Sequence, residues 1–286
     1  MFVQSNRLVD LLPYFQEKLV ELYEAREIEN IFAWLCYDRF KLNRNEIKSE
    51  GVRLSESELL DFRSVVKRLQ TNEPLQYVLG KTEFYHCEIL VNQHVLIPRP
   101  ETEELVDAIL KSSDQPKRIL DIGTGSGCIP IALKKARPNC DLYGLDISHH
   151  ALELAQKSAL LNQVEVFFSQ ADILVNDLKD LPLFDLIISN PPYVLESDKA
   201  DMSKNVLDFE PHLALFVPNN DPLRFYKRIA ELALTKLTAG GKLYFEIHER
   251  FGQETCAMLS AFGYQNCEIL KDMQGKDRMV RAIKPI

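Results

Sequence analysis

From Lys117 onward the chain alternates between short apolar runs and helix-like stretches, and that alternation restricts it to few folds. "RILDIG" reads as a strand and "CIPIALKKA" as a helix; "DLYGLDI" is a strand and "HALELAQKSALLNQ" a helix. "VEVFFSQAD" and "FDLIISN" read as strands, "LRFYKRIAELALTKL" as a helix and "GKLYFEI" as a strand. Parallel strands need a crossover between them, and the crossover helices cover both faces of the sheet, so the strands can be apolar throughout. The expected fold class is α/β, with a mostly parallel, doubly wound sheet.

The first 80 residues follow a different pattern. In "RLVDLLPYFQEKLVELY" the residues Leu8, Leu11, Leu12, Phe15, Leu19 and Leu22 recur at spacings of three and four, an apolar stripe on one helix face. "SESELLDFRSVVKRLQ" opens with Ser55 and Glu58 in capping-box spacing, and Leu59, Phe62, Val66 and Leu69 follow on one side. Residues 1–80 are therefore expected to form a small helical bundle. Between 81 and 100, "EFYHCEILVNQHVLIPRP" offers two β-rich runs around a polar "NQ", expected as a hairpin linker. "PETEELVDAIL" then starts a helix, with Pro100 in the first turn and three glutamates near the positive end of the dipole. The main domain is expected over 101–286.

Composition weighs against several function classes without excluding a nucleic-acid enzyme. The net charge is −8, against a protein that grips duplex nucleic acid mainly through its phosphates. The start "MFVQSNRLVD" lacks the basic and apolar segments of a signal peptide, and no apolar run nears the roughly 20 residues of a membrane span. Cys36, Cys87, Cys128, Cys140, Cys256 and Cys267 are scattered without a CxxC pair, so reduced thiols in the cytoplasm and no bound metal are expected.

The ends of the strands carry the chemistry. "LDIGTGSGCIPIA" places Gly123, Gly125 and Gly127 in a tight strand-to-helix turn, which glycine suits because a side chain would block a ligand or resist positive φ. Asp121 before them favours a positively charged ligand over a pyrophosphate. Asp146 ends the next strand, where an ionised carboxylate can accept both hydroxyls of a ribose. Asp172 could receive an adenine amine and Ile173 cover its ring, although a turn cap and a core residue fit these two positions as well. "SNPPYV" follows the fourth strand, expected beside the first. Pro191 and Pro192 stiffen the loop and remove two N–H donors, leaving Asn190 Oδ1 and the Pro191 carbonyl as acceptors beside the Tyr193 ring. Such a mouth suits a flat group bearing NH₂.

With "DIGTGSG", Asp146, Asp172 and "NPPY" in order on successive strand ends, the chain resembles the class I S-adenosylmethionine-dependent methyltransferases, a Rossmann-like fold. "PLQYVLGKTEFY", "LIPRPETEELV", "FEPHLALF" and "GGKLYFEI" narrow this to a resemblance to the peptide chain release factor glutamine methyltransferase family, strongest over 75–193. The resemblance implies S-adenosylmethionine as cofactor, held by Asp121, Ile122, Gly123, Thr124, Gly125, Gly127, Asp146, Asp172, Ile173 and Asn190. It implies substrate recognition and catalysis at Asn190, Pro191, Pro192 and Tyr193, release factors as protein substrates modified in a Gly-Gly-Gln loop, and a helical N-terminal domain that docks them. Some members carry an aromatic residue where this chain has Ile173, so stacking there would be aliphatic.

Three other readings share parts of the pattern. A nucleic-acid adenine or cytosine amino-methyltransferase would use the same NPPY chemistry but must flip a base and hold a polyanion. An NAD-dependent oxidoreductase would share the glycines and Asp146 and leave Asp121 and NPPY unexplained. A cofactor-sensing protein without turnover would have no use for an intact NPPY.

Overall fold

The structure, a computed structural model, describes residues 5–49 and 51–286. They divide into two compact units: residues up to Gly80 with Ser203–Phe209, and Lys81–Met202 with Glu210–Ile286.

The first unit is helical, with α1 (Leu11–Leu19), α2 (Ala25–Phe40), α3 (Arg44–Ile47), α4 (Glu56–Leu69) and α5 (Leu75–Leu79). The capping box of α4 is formed as its sequence requires: Ser55 Oγ accepts from the Glu58 N–H, and the Glu58 carboxylate accepts from the Ser55 N–H at 2.7 Å. Phe15, Phe32 and Phe62 meet edge to face with ring centroids 5.1–6.0 Å apart, an arrangement aromatic quadrupoles favour. Leu8, Leu11, Phe15 and Leu19 are buried on the expected stripe. Leu22 is not: α1 stops at Leu19 and a turn carries Leu22 to the surface.

The second unit opens with a hairpin, β1 (Lys81–Phe84) and β2 (Cys87–Leu90). Its turn is Tyr85–His86, both at positive φ, rather than the "NQ" pair, and the second apolar run is not a strand. Asn162 ties the hairpin to the unit, accepting from the Glu88 N–H and donating to the Glu88 carbonyl. Then come α6 (Pro100–Lys111), β3 (Arg118–Ile122), α7 (Cys128–Ala136), β4 (Asp141–Asp146), α8 (His149–Leu161), β5 (Phe167–Gln170), β6 (Phe184–Ser189) and β7 (Val194–Leu195). The helix α9 (Lys204–Phe209) belongs to the first unit. The chain ends with β8 (Phe216–Val217), α10 (Arg224–Lys236), β9 (Leu237–Glu246), α11 (Gly252–Ala261), β10 (Gln265–Lys271) and β11 (Asp277–Ile283).

Seven strands form the main sheet in the order β10-β11-β9-β6-β3-β4-β5. β5, β4, β3, β6 and β9 run parallel; β11 and β10 add an antiparallel edge. The chain moves outward from β3 through β4 to β5, then crosses back to place β6 on the other side of β3. At such a reversal the loops leave in opposite directions and open a crevice beyond the strand ends. The Ser189 hydroxyl donates to the Ile122 carbonyl at 2.6 Å and pins the ends of β6 and β3 together.

One expectation about the thiols is corrected. Cys256 of α11 and Cys267 of β10 form a disulfide, with Cα atoms 5.7 Å apart. Only the turn that folds α11 back on β10 makes neighbours of two residues 11 positions apart. Cys36, Cys87, Cys128 and Cys140 are free and buried.

Candidate active site

A cavity of about 550 Å³ occupies the crevice at the β3–β6 reversal, inside the range typical of small-molecule sites. Of the residues singled out in the sequence, Ile122, Gly123, Thr124, Gly125, Asp146, Asp172, Ile173, Asn190, Pro191 and Pro192 line it. Asp121, Gly127 and Tyr193 do not reach its wall.

The loop after β3 explains two of its glycines differently from the third. Gly123 and Gly125 have φ of 75° and 53°, and a Cβ at either would meet nothing within 4 Å. Their backbone is open to an approaching group. Gly127 is a packing residue: a Cβ there would lie 2.9 Å from the Ala155 Cβ and 3.1 Å from the Phe168 ring. The close approach of α7 to α8 and β5, and not a ligand, excludes a side chain at Gly127.

Asp146 is anchored from both sides. Its Oδ2 accepts from the Gly125 N–H at 2.8 Å and its Oδ1 from the Ser148 N–H at 2.9 Å. Burial raises its pKa, and these backbone bonds oppose the rise. Each oxygen keeps a second lone pair for a ligand hydroxyl. Asp172 lies two residues beyond β5, and its Oδ1 accepts from the Leu174 N–H at 2.9 Å. The turn cap and the cavity wall are thus the same residue. Ile173 contributes to the wall and also packs on the core.

Asp121 is fully buried beneath the loop, and neither of its carboxylate oxygens has a hydrogen-bond partner among the described residues. Burial pushes its pKa up to about 7; the nearby Thr124 works against the rise and the charge of Asp146 adds to it. An orphaned acid under an open glycine loop, with spare acceptors on Asp146, fits a ribonucleoside carrying a positive charge.

Behind the NPPY loop is a buried polar chain that sequence reasoning missed. Asn190 Nδ2 donates to Thr102 Oγ1 at 3.2 Å, and Thr102 Oγ1 donates to Glu246 Oε2 at 2.7 Å. The Tyr193 hydroxyl donates to Glu246 Oε1 at 3.0 Å. This bond draws Tyr193 away from the cavity, and its ring packs edge-on against His248 instead of forming the expected aromatic wall. A second pair was also missed: Arg99 lines the cavity and donates to the buried Glu210 at 2.6 Å, while Glu210 accepts from the Ile97 N–H at 3.1 Å. Both pairs lie within "LIPRPETEELV", "FEPHLALF" and "GGKLYFEI", but their partners are more than 100 positions apart.

Residues 101–208 match the family described as methyltransferase small domain. A release factor glutamine methyltransferase of Flavobacterium psychrophilum is 43% identical over 275 residues, 94% of this chain and 96% of the relative. One from Bacteroides thetaiotaomicron is 43% identical over 270 residues, 94% of this chain and 97% of the relative. The chain belongs to the release factor glutamine methyltransferase family. Family membership makes it a methyltransferase. Its α/β architecture agrees with a methyltransferase structure from Pyrococcus furiosus, which superposes with a TM-score of 0.53 at 17% identity and covers 70% of this chain and 90% of that one.

Proposed function

We propose that this chain transfers a methyl group from S-adenosylmethionine to the side-chain amide nitrogen of the glutamine in the Gly-Gly-Gln loop of peptide chain release factors, in the cytoplasm. The observation that carries the reading is that Asn190 and Pro191 share one cavity wall with Gly123, Gly125 and Asp146. A group that takes a flat amide and a group that takes a nucleoside therefore face the same space.

Bound S-adenosylmethionine would supply a methyl group on a positively charged sulfur. Asp146 would hold the ribose hydroxyls, Asp172 and Ile173 the adenine, and Gly123 to Gly125 the backbone cradle. Asp121, sealed beneath the loop, would act on the positive charge through its field rather than by contact. A carboxamide nitrogen is a weak nucleophile because its lone pair is delocalised into the carbonyl. Asn190 Oδ1 and the Pro191 carbonyl would accept its two N–H groups and fix its orientation, and neither proline offers a competing donor. Orientation of that kind recovers roughly 7–11 kcal/mol in favourable cases. Acceptors at the nitrogen also stabilise the positive charge that develops there, and its proton is lost to water once the methyl is in place.

The helical unit would dock the protein substrate. Trp34 and Tyr37, one turn apart on α2, are both more than half exposed and present an aromatic face. The net charge of −8 favours a protein over a nucleic-acid substrate. No helix among the described residues is long and apolar enough to cross a membrane.

The test uses purified protein, isotopically labelled S-adenosylmethionine and a bacterial release factor, with mass spectrometry of the Gly-Gly-Gln peptide. A methyl on that glutamine, absent with Asn190→Ala while cofactor affinity stays within about threefold, is the expected result; removal of one transition-state hydrogen-bonding group costs about 10²–10³ in rate. Label on nucleic acid, or none on the peptide, overturns the reading.

A further inference from the structure

We propose that Glu246, acting through Thr102, is the positioning residue that turns the Asn190 amide so that Oδ1, and not the NH₂ group, faces the cavity. This rests on the reading of Asn190 as acceptor for the substrate amide.

The argument is one of counting protons. Glu246 is 1% exposed and Thr102 3% exposed, so no bulk water competes for their bonds. An ionised carboxylate only accepts, and a hydroxyl has a single proton. Thr102 spends that proton on Glu246 Oε2, and only its lone pairs remain for Asn190. The one end of the Asn190 amide that can meet a lone pair is its NH₂ group, which makes the 3.2 Å bond. The opposite end, Oδ1, is left for the cavity. With the amide reversed, a donor would confront the substrate's own N–H groups, and two unpaired polar groups would be buried. Tyr193 holds the other carboxylate oxygen and stops Glu246 from rotating away.

The fold brings these groups together by register. Ser189 of β6 pairs with Phe245 of β9, so the residues that follow, Asn190 just past β6 and Glu246 at the end of β9, come side by side. Thr102 sits in the first turn of α6, two residues after the Pro100 that starts the helix, and bridges them.

Ionised Glu246 is required for this polarity. The titratable and charged groups facing it are Arg278 of β11, Glu101 of α6, Cys128 of α7, Tyr193, and Tyr226 of α10. Burial raises the Glu246 pKa, opposed by the Thr102 and Tyr193 bonds and by Arg278. Protonation as pH falls lets the carboxyl donate, frees the Thr102 proton and removes the constraint on Asn190. Turnover therefore declines on the acid side through that raised pKa.

The test compares Thr102→Val, which keeps the shape and deletes the hydroxyl, with Thr102→Ser, which keeps the hydroxyl. Turnover of wild type and variants is measured with intact release factor, alongside cofactor affinity and the melting temperature. We expect Thr102→Val to lower kcat by at least 10-fold with cofactor affinity and KM within about threefold, as loss of one hydrogen bond to a charged network implies. Thr102→Ser should recover most of the rate. Equal loss in both variants, or a wild-type kcat in Thr102→Val, overturns the proposal. Glu246→Gln gives an independent check should Thr102→Val not fold: its acid limb in the kcat–pH profile should vanish, and an unchanged limb overturns the proposal. Failure of the wild type to methylate the glutamine would instead overturn the function itself, and the two failures are told apart in one experiment.

Discussion

Gly125 donates its backbone N–H to Asp146 Oδ2 at 2.8 Å, so the glycine loop after β3 and the end of β4 hold each other in place. One carboxylate thus shapes the cradle and presents acceptors to whatever occupies it. Asp146→Ala should lower cofactor affinity by about 10- to 150-fold, the range for a hydrogen bond to a charged group. Titration calorimetry would show this, and an unchanged affinity would mean that the acid serves the loop alone.

Asp121 predicts a pH-dependent stability. Its folded-state pKa is raised to about 7, so the folded protein keeps this proton at pH values where the unfolded chain has released it. Its contribution is fully present below about pH 4 and is lost as pH rises through 7, on the order of 4 kcal/mol in all. Asp121→Asn should remove that slope, leaving the variant more stable than wild type at pH 8 and level with it near pH 4. Urea midpoints of the cofactor-free proteins across that range would reveal it.

The two kinds of glycine should separate experimentally. Gly127→Ala places a Cβ 2.9 Å from that of Ala155 at a φ of 78°, for a loss of about 2–4 kcal/mol in stability. Gly125→Ala meets no protein atom within 4 Å and should cost only about 1–2 kcal/mol, but Gly125 lines the cavity, so the added methyl takes space beside the ligand. Melting temperature should fall most in the first variant, and cofactor affinity per folded molecule most in the second.

Arg99→Met should destabilise the protein by about 3–5 kcal/mol, because it leaves Glu210 buried without its counter-charge. Arg99→Met combined with Glu210→Gln should recover much of that loss. Chemical denaturation of the single and double variants would measure the coupling, and simple additivity would mean that the pair is not an energetic unit.

Features encoded within one stretch of chain are legible in the amino-acid sequence alone. The capping box at Ser55 and Glu58, the strand–glycine–helix passage after Asp121 and the placement of β6 beside β3 each follow from local pattern and the rules of parallel sheets. The hairpin turn is not legible, because Tyr85 and His86 adopt positive φ without a glycine or asparagine to announce it. The antiparallel edge of β10 and β11 escapes for another reason: "QNCEILK" and "DRMVRAI" are only partly buried and interrupted by charged residues, so they lack the apolar continuity that marks the inner strands. Asn190 stands out in the sequence, but what orients it does not, because Thr102 and Glu246 meet only through the tertiary placement of α6 against β9. Tyr193 misleads in the same way: its sequence neighbours suggest a wall, while a carboxylate 53 positions away takes its hydroxyl.

The helical unit takes Ser203–Phe209 from far along the chain, and this has a consequence for how the protein is made. A ribosome extends the chain by about 5–20 residues per second, so roughly 6 to 25 s separate the appearance of Gly80 from that of Ser203. Throughout that interval the first five helices exist without their last piece, while β3, β4, β5 and β6 emerge. The unit that begins first is therefore completed only after four strands of the main sheet in the unit that begins second. A break introduced at Gly80 would leave the helical half without Ser203–Phe209, which would stay in the chain of the other half.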